Sequence, residues 1–523
     1  MTKIRINNLI SKFKKYNIDG YIVPKNDEFF AEYAVNDRLK TISNFSGSAG
    51  YSIILKKKNY LFVDGRYTIQ AKNESGKLFQ IVDYHKILNC NLFKNLLIGY
   101  DPRIFTSTQI KKFFNKKNKA KIIEPNLIDQ IYENKSKSSK PFFSIKNKVA
   151  GENYKNKILK IKKYLHKNKS DFLFITAPEN VAWLLNIRGF DHPNSPIPNC
   201  HLIVDNKNKL FFISNKNKVL SLISEKKLKF RQVIEPKNFR KFISTLKGKK
   251  IIVDNKTCSI FFENILREKF KVLKKEDPIY LLKSLKNKTE IKNMVDTHIF
   301  DGVALTKFIY WIKNVNNKTI TEFEAQNKLE SFRKRNKHYL YPSFNTIAGA
   351  AENAAIVHYK ATKKNAKKIK KKDIFLCDSG GQYTYGTTDV TRTICFSEPK
   401  KNIKNIFTRV LKGHIAVVRS NLNKYTTGNK IDIRARKFLK EINLDYQHGT
   451  GHGVGFFLNV HEGPQGISKF NKIRLCEGMI LSNEPGYYKK NEFGIRIENL
   501  IYIKKIKNKL YFENLTLAPI DSD

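Results

Sequence analysis

The stretch IFLCDSGGQYTYGTTDVTRTICF, residues 374–396, decides which fold the chain adopts. It is typical of two apolar strands joined by a glycine-containing turn, with Asp378 late in the first strand and Asp389 early in the second. In a hairpin such residues face each other across the ladder, so the two carboxylates come close together. Because a buried pair of carboxylates repels, it requires cations or a shared proton. For either Asp alone, an Asx-turn is the simpler interpretation.

Three histidines cluster downstream in YQHGTGHGVGFFLNVHEGP, residues 446–464, a segment that also contains five glycines. They are His448, His452 and His461, out of 11 histidines in the chain. Glycine allows the backbone to approach a ligand or a neighbouring strand closely. One of these histidines alone would be interpreted as a hydrogen-bonded core imidazole, but the cluster indicates a site.

Two glutamates complete the pattern. Glu484 ends an apolar strand before a Pro-Gly turn in MILSNEPGYY, residues 479–488, and Glu498 lies among strand formers in FGIRIENLIYI, residues 493–503. In an extended chain Arg496 shares the face of Glu498, so an arginine–carboxylate pair is the alternative interpretation for Glu498.

Four carboxylates and one imidazole form a candidate ligand set that contains no thiolate: Asp378, Asp389, His452, Glu484 and Glu498. This chemistry suits a pair of Mn²⁺, Co²⁺, Fe²⁺ or Zn²⁺ ions better than a structural zinc. Two such ions roughly 3.5 Å apart can bridge one water, lower its pKa and present hydroxide to a carbonyl, which predicts hydrolysis. His448 and His461, outside the set, are then free to stabilise an oxyanion or transfer a proton.

The charge distribution supports a bound cation. The chain has 99 Lys+Arg against 46 Asp+Glu, a net charge of +53, so nucleic acid or an anionic membrane is considered first. Residues 361–372 hold seven lysines, whereas residues 373–391 and 442–468 contain no Lys or Arg. A nearby ammonium would weaken a bound metal ion, which explains such windows. The other lysines are scattered, so we expect a solvated surface and no specific nucleic-acid partner.

A length of 523 residues predicts two to four domains. Apolar runs alternate with turns in two successive α/β blocks, separated by the polar segment ENKSKSSKP at 133–141, which is typical of a linker. A third block opens with a helix, with Thr289 as a possible N-cap. An apolar stripe marks one side of this helix and consists of Ile291, Val295, Ile299 and Val303. The predicted domains are residues 1–140, 141–286 and 287–523.

The first residues, MTKIRINNLISKFKKYNIDGYIV, interrupt every apolar run with Lys or Arg and do not resemble a secretory signal. No stretch has the roughly 18 apolar residues of a membrane span. We therefore expect a cytoplasmic protein without a membrane span. The six cysteines form no CxxC pair, which favours reduced and mostly buried thiols.

Considered together, these motifs closely resemble the pita-bread metallopeptidases, and among them the three-domain Xaa-Pro aminopeptidases, also called aminopeptidase P. The resemblance rests on DSGGQYTYGTTDVTRT, HGTGHGVGFFLNVHEGP, EPGYY and GIRIEN in the third block. It extends to GYIVPKNDEFFAEY, FSGSAGYSIIL and FVDGRYTIQA in the first block and to ENVAWLLNIRG in the second. The fold class it implies is α/β and α+β, with two α/β creatinase-like N-terminal domains followed by a C-terminal pita-bread α+β domain.

The resemblance also assigns roles to residues. Asp378, Asp389, His452, Glu484 and Glu498 match the family's dinuclear metal ligands, and Asp389 and Glu498 match the bridging carboxylates. Glu484 also matches the residue that helps to activate the bridging water. The remaining catalytic candidates match histidines that contact substrate or the tetrahedral intermediate: His358 in AAIVHYKAT, His448 and His461.

The function that the resemblance implies is removal of the N-terminal residue from peptides with proline in the second position, by a hydroxide that bridges two divalent metals. The expected cofactors are two divalent ions, with Mn²⁺ first and Co²⁺, Fe²⁺ or Zn²⁺ as alternatives, and the expected assembly is a homodimer. A dipeptidase of the prolidase kind is the nearer alternative. A non-catalytic protein that binds nucleic acid or chromatin on the same fold is the more distant one.

Overall fold

Apolar runs bounded by turn residues form the strands of this chain. The computed structural model describes residues 1–89, 94–114, 119–132, 140–315 and 320–522. The chain divides into two compact units. The first comprises Met1–Lys146, Glu152–Pro193 and Ile197–Ile279, and the second comprises Asn147–Gly151, Asn194–Pro196 and Tyr280–Asp523. Residues 133–139 of the predicted linker lie outside the described residues.

The first unit begins with a six-stranded mixed sheet. Its strands are β1 (Gly20–Pro24), β2 (Tyr51–Leu55), β3 (Asn59–Val63), β4 (Gln80–Asp83), β5 (Leu97–Tyr100) and β6 (Lys119–Ile122), in the order β4-β3-β2-β1-β5-β6. Successive side chains of β1 enter different cores, because Tyr21 and Val23 pack on one face of the sheet and Ile22 on the other. The helices are α1 (Thr2–Ser11), α2 (Phe13–Tyr16), α3 (Arg38–Ser43), α4 (Thr68–Ser75) and α5 (Ser107–Phe113).

A second six-stranded sheet repeats the topology of the first. The next strands along the chain are β7 (Phe143–Ser144), β8 (Phe172–Ile175), β9 (Ile187–Arg188), β10 (His201–Asp205), β11 (Leu210–Ile213), β12 (Val233–Ile234), β13 (Lys250–Asp254) and β14 (Lys271–Lys275). The order β12-β11-β10-β8-β13-β14 has the same succession of parallel and antiparallel pairs as the first sheet. The two α/β blocks are therefore structural repeats.

The helices between these strands are α6 (Asn147–Ala150), α7 (Tyr154–Lys167), α8 (Pro178–Leu185), α9 (Lys216–Ser224), α10 (Phe239–Thr245) and α11 (Ile260–Arg267). The remaining helices are α12 (Ile279–Ser284), α13 (Lys288–Asn314), α14 (Glu322–Arg333), α15 (Lys401–Val418) and α16 (Gly428–Lys440).

The second unit is an α+β structure whose described strand pairs are all antiparallel. Its strands are β15 (Tyr339–Pro342), β16 (Ile347–Ala350), β17 (Ile374–Ser379), β18 (Gly381–Tyr383), β19 (Gly386–Thr387), β20 (Val390–Cys395), β21 (Gly451–Gly453), β22 (Glu462–Ile467), β23 (Ile480–Asn483), β24 (Gly486–Lys489), β25 (Phe493–Arg496), β26 (Asn499–Ile506) and β27 (Lys509–Asn514). They form sheets β16-β17-β20, β15-β18-β19, β22-β21-β23-β26-β27 and β24-β25.

Helix α13 differs from the prediction in two respects. Its N-cap is Asn287, which forms a capping box with Glu290, so the assignment of Thr289 as N-cap is wrong. Ile299 and Val303 of the predicted apolar stripe are exposed. The buried face instead contains polar residues such as His298 and Asp301. Asp301 can be buried because the Arg333 guanidinium donates to it at 2.7 Å.

Other predictions concern surface and thiols. All seven lysines of residues 361–372 are exposed, which agrees with a solvated surface. No disulfide joins the cysteines that the structure describes, and Cys200, Cys258, Cys377 and Cys395 are buried. Cys90 lies outside the described residues. None of the helices in the described ranges combines the length and the apolar character that crossing a membrane requires.

Candidate metal centre

Asp378 and Asp389 lie on one face of the β16-β17-β20 sheet. The register pairs Asp378 with Thr391 and Ser379 with Val390, and Asp389 directly precedes β20. Because side chains alternate along a strand, Asp389 and Thr391 share a face, and that face carries Asp378. The two strands are not a simple hairpin, since residues between them form β18 and β19 and pair with β15.

Two further candidate ligands come from neighbouring strands of the five-stranded sheet. Glu484 directly follows β23 and Glu498 directly precedes β26, and the pairing of Asn483 with Asn499 places the two glutamates opposite each other. His452 lies in β21, which pairs with β22 and β23. A Cβ on Gly451 would lie 1.9 Å from the Ser482 carbonyl oxygen. Only glycine permits this approach of β21 to β23.

The structure brings all five predicted ligands together in overlapping groups whose ligand atoms lie within 4.8 Å of one another. One group is His452, Glu484 and Glu498, a second is Asp378, Asp389 and Glu498, and a third is Asp389, His452 and His461. His452 Nε2 lies 3.3 Å from Asp389 Oδ2 and 3.6 Å from Glu484 Oε1. Groups that share members are the arrangement that two adjacent ions require.

The electrostatics of these carboxylates fit a cation site. Asp378 Oδ1 and Asp389 Oδ1 are buried and accept no hydrogen bond from the described residues. Burial, and then the charge of Asp378, raises the pKa of Asp389 well above its ordinary value. Burial, and then Asp389, does the same to the pKa of Glu498. Ions of charge +2 would satisfy the free oxygens and remove this repulsion, so the residues present fit a dinuclear centre.

Hydrogen bonds fix the orientation of two glutamates. The Thr391 hydroxyl donates to Glu498 Oε2 at 2.6 Å, and the Ser482 hydroxyl donates to Glu484 Oε1 at 3.0 Å. Although burial opposes ionisation of Glu484, the His452 imidazole, the Arg496 guanidinium and the Ser482 hydroxyl lower its pKa. Glu484 is therefore the most readily ionised of these glutamates in the centre.

Arg496 has a different partner from the one that the sequence suggested. Its Nη2 donates to Asp378 Oδ2 at 2.7 Å, its Nη1 to the Tyr488 hydroxyl at 2.7 Å, and its Nε to Thr391 Oγ1 at 3.0 Å. The alternative of an Arg496–Glu498 pair is therefore wrong, because the pleat places the guanidinium beside Asp378. Sequence reasoning missed Tyr488, which its position in EPGYY could have indicated.

The predicted catalytic histidines occupy different environments. His448 Nδ1 donates to the Gly449 carbonyl at 2.8 Å, and its Nε2 lies 2.8 Å from the Tyr488 hydroxyl. Burial lowers the pKa of His448 to about 4, so the ring is neutral near pH 7. The exposed ring of His461 lies 4.3 Å from the ring of His452. His358 is half-buried and lies outside the three ligand groups.

The acids of the cation-free windows have two kinds of partner. Asp378 and Asp389 line the centre, whereas Glu462 pairs with Lys283 and Lys286, and Asp445 pairs with Arg436. The windows therefore contain candidate ligands, but they do not distinguish these from carboxylates that pair with Lys or Arg.

The chain is similar to known protein families and to individual known proteins. Residues 292–505 match metallopeptidase family M24, and residues 5–126 and 133–290 match creatinase/prolidase N-terminal domains. The chain is 34% identical to a probable Xaa-Pro aminopeptidase P of Laccaria bicolor, over 99% of this chain and 86% of that protein. It is 34% identical to a protein of the same description from Coprinopsis cinerea, over 97% of this chain and 89% of the relative.

Two solved structures are similar. An X-prolyl aminopeptidase from Caenorhabditis elegans, described as a cytosolic enzyme with a di-nuclear active site, is 28% identical with a TM-score of 0.92, over 100% of this chain and 92% of that one. A prolidase from Pyrococcus furiosus is 26% identical with a TM-score of 0.56, over 68% of this chain and 99% of that one. The predicted fold class is confirmed: two creatinase-like α/β domains precede a C-terminal pita-bread domain.

Proposed function

Because the chain belongs to metallopeptidase family M24, whose members include enzymes with a di-nuclear active site, we propose that it removes the N-terminal residue from peptides with proline in the second position. The observation that carries this proposal is the convergence of five candidate ligand side chains, including two buried carboxylate oxygens that accept no hydrogen bond within the described part of the chain. The chain also matches proteins described as Xaa-Pro aminopeptidase P along almost its whole length.

The proposed ligands are Asp378, Asp389, His452, Glu484 and Glu498. Bound divalent ions would lower the pKa of a water and polarise the substrate carbonyl. Their proposed identity is Mn²⁺, with Co²⁺, Fe²⁺ or Zn²⁺ as alternatives, because this donor set accepts all four. The domain boundaries 1–140, 141–286 and 287–523 are proposed alongside this assignment.

The protein's own residues would orient the reacting groups. Thr391 and Ser482 hold the Glu498 and Glu484 carboxylates through their hydroxyls. Glu484 is proposed to accept a proton from the attacking water, since His452, Arg496 and the Ser482 hydroxyl favour its ionised form. His461, exposed beside His452, is proposed to donate to the developing oxyanion, and His358 and His448 to contact the substrate.

Proline in the second position makes a specialised site necessary. The Xaa-Pro bond has no N–H, so the hydrogen bond that many peptidases accept from this N–H is unavailable. A dipeptidase of the prolidase kind shares the chemistry but acts on a shorter substrate. The aminopeptidase is favoured because the matched relatives of that description cover 97–99% of the chain, whereas the Pyrococcus furiosus prolidase covers 68%.

The assembly and the cellular location of the protein are also proposed. A homodimer is proposed and can be measured by analytical ultracentrifugation. A cytoplasmic location is proposed from the Caenorhabditis elegans relative, which is described as a cytosolic enzyme.

Hydrolysis assays test the proposed function. The full chain loaded with Mn²⁺ should cleave Xaa-Pro-Xaa tripeptides and leave Xaa-Pro dipeptides largely intact. Asp389→Asn should lose turnover and metal, whereas Asp445→Asn, a change in the other cation-free window at a residue paired with Arg436, should retain both. Cleavage of dipeptides alone would establish the prolidase alternative, and full activity of Asp389→Asn would refute the metal assignment.

A further inference from the structure

His414 is a buried histidine of the second unit to which neither the sequence nor the proposed mechanism assigns a role. It lies near the end of α15 and is 4% exposed. It belongs to no group of candidate metal ligands among the described residues. Its hydrogen bonds nevertheless lead to the residue that precedes one of these ligands, Glu484.

Two reciprocal hydrogen bonds join His414 to Asn483, the last residue of β23. His414 Nδ1 donates to the Asn483 carbonyl at 3.1 Å, and Asn483 Nδ2 donates to the His414 carbonyl at 3.0 Å. Asn483 directly precedes Glu484. His414 therefore binds the carbonyl of the peptide group whose nitrogen belongs to Glu484.

The other side of this peptide group is also held. The N–H of Glu484 donates to the Thr450 carbonyl at 2.8 Å. The peptide plane that precedes Glu484 is therefore fixed from two directions, with His414 on its carbonyl side. Because a peptide group is planar, fixing its two ends sets the direction in which the following side chain leaves the strand.

Burial, assisted by the charge of Arg392, lowers the pKa of His414 to about 4, so the imidazole is neutral near pH 7. A neutral ring carries one N–H, and the bond to Asn483 places it on Nδ1. This assigns the tautomer that the arrangement requires.

We propose that His414 is a positioning residue that holds the backbone of Glu484 in the geometry of the metal centre. The inference rests on the proposed function, since it requires Glu484 to be a ligand. Partners that orient metal ligands typically change metal affinity by 10- to 100-fold when removed. Loss of the His414 donor should therefore weaken metal binding although His414 touches no ligand side chain.

The test is titration of the metal-free full chain with Mn²⁺ by isothermal titration calorimetry, with kcat and KM measured on the loaded protein. His414→Phe keeps a ring and removes the donor. His414→Asn keeps a donor close to the position of Nδ1. His298→Phe is the matched control, because His298 is also buried in a helix of this unit and its Nδ1 donates to Met294 within its own helix.

We expect His414→Phe to raise the Kd for Mn²⁺ by about 10- to 100-fold, with a fall in kcat larger than the change in KM. His414→Asn should stay within about threefold of the unsubstituted chain, and His298→Phe should lower thermal stability without changing the Kd. An unchanged Kd in His414→Phe, or an equal rise in His298→Phe, would overturn the proposal. If His414→Phe does not fold, His414→Gln replaces it, since glutamine places its amide near Nε2, and equal affinities of the Gln and Asn variants would then count against the role.

The readout separates this inference from the proposed function. Metal binding is measured without substrate, so a chain that binds Mn²⁺ but cleaves no proline peptide refutes the proposed substrate and leaves the result on His414 intact. An unsubstituted chain that binds no divalent ion refutes the metal assignment and the role of His414 with it.

Discussion

Arg496 donates a hydrogen bond from Nη2 to Oδ2 of Asp378 at 2.7 Å, and both residues are buried. This contact places a permanent cation against a proposed metal ligand, inside a centre whose neighbouring sequence windows exclude Lys and Arg. The guanidinium leaves Asp378 Oδ1 free, because it occupies only the other carboxylate oxygen. Arg496 thus compensates the burial of Asp378 without blocking its proposed ligand atom.

Substitution of Arg496 should weaken the metal centre. Arg496→Met has two opposing effects. The loss of the positive charge favours binding of a cation, whereas the loss of the hydrogen bond from the guanidinium leaves the Asp378 carboxylate unoriented and favours its protonated form. We expect the second effect to dominate and to lower Mn²⁺ affinity by about 10- to 100-fold in calorimetric titrations. Arg496→Lys should also lose affinity, since one ammonium cannot reach Asp378, Tyr488 and Thr391 together. Tighter Mn²⁺ binding by the Met variant would show that repulsion dominates instead.

The Tyr488 hydroxyl joins Arg496 to His448 and should contribute to turnover. Tyr488→Phe removes the donor to His448 Nε2, so the imidazole loses one of its two hydrogen bonds. The expected result is a fall in kcat/KM of about tenfold, which corresponds to one hydrogen bond of about 1.4 kcal/mol. Tyr487→Phe is the matched control, because Tyr487 packs against Phe493. Steady-state assays on an Xaa-Pro-Xaa peptide measure both, and equal effects of the two variants would contradict a specific role for Tyr488.

The strand ends of the metal centre could be predicted from the sequence because local signals define them. The apolar run Ile374–Cys377 directly precedes Asp378, the strand formers of MILSN precede Glu484, and the glycines around His452 indicate close strand approach. These signals are short-range, so the five candidate ligands could be proposed before their geometry was known. Only the folded chain shows that Glu498 belongs to two of the three ligand groups.

Long-range pairing could not be predicted in the same way. The exposed stripe of α13 is more apolar than part of its buried face, since Asp301 is buried against Arg333 from another helix. The partner of Arg496 and the contact of His414 with Asn483 likewise join residues that lie 118 and 69 positions apart. The N-cap at Asn287 is different, because the Asn-x-x-Glu pattern was visible and was missed.

Glu462 should be essential for stability although it is not a proposed ligand. Lys283 lies 3.4 Å from it, Lys286 also pairs with it, and all three side chains are at most 2% exposed. Glu462→Gln leaves two buried ammonium groups without a counterion, which should reduce the free energy of unfolding by about 3–5 kcal/mol. Glu492→Gln, at an exposed pair with Lys489, should change it by less than about 1 kcal/mol. Urea unfolding measures both.

Alkaline pH should partly restore Glu462→Gln. Burial lowers the pKa of Lys286 in the folded chain, and loss of Glu462 removes the charge that opposes this shift. A lysine whose pKa is lower in the folded chain than in the unfolded chain reduces stability at pH values where the unfolded chain binds more protons. The free energy of unfolding therefore rises as pH approaches the unfolded pKa. The deficit of the variant should therefore shrink between pH 7 and about 9. A constant deficit would show that the lysines remain charged or reach solvent.

Asp277 should make the stability of the first unit fall as pH rises. Burial raises its pKa to about 7, although the Ile279 N–H and the Asn180 amide donate to it. The pKa of Asp277 in the unfolded chain is near 3.8, so between about pH 4 and pH 7 the folded chain binds a proton that the unfolded chain does not. Its free energy of unfolding therefore falls as pH rises through this range.

Asp277→Asn removes the group that binds this proton. From pH 4 to pH 8, the free energy of unfolding of the variant should therefore gain as much as roughly 4 kcal/mol relative to that of the unsubstituted chain. Asn180→Ala removes a donor to the carboxylate, which should raise the folded pKa of Asp277 further and extend the decline to higher pH. Urea unfolding at several pH values measures these free energies. If the free energy of unfolding changes with pH in the same way for the unsubstituted chain and for Asp277→Asn, then Asp277 stays ionised in the folded protein, and the prediction is wrong.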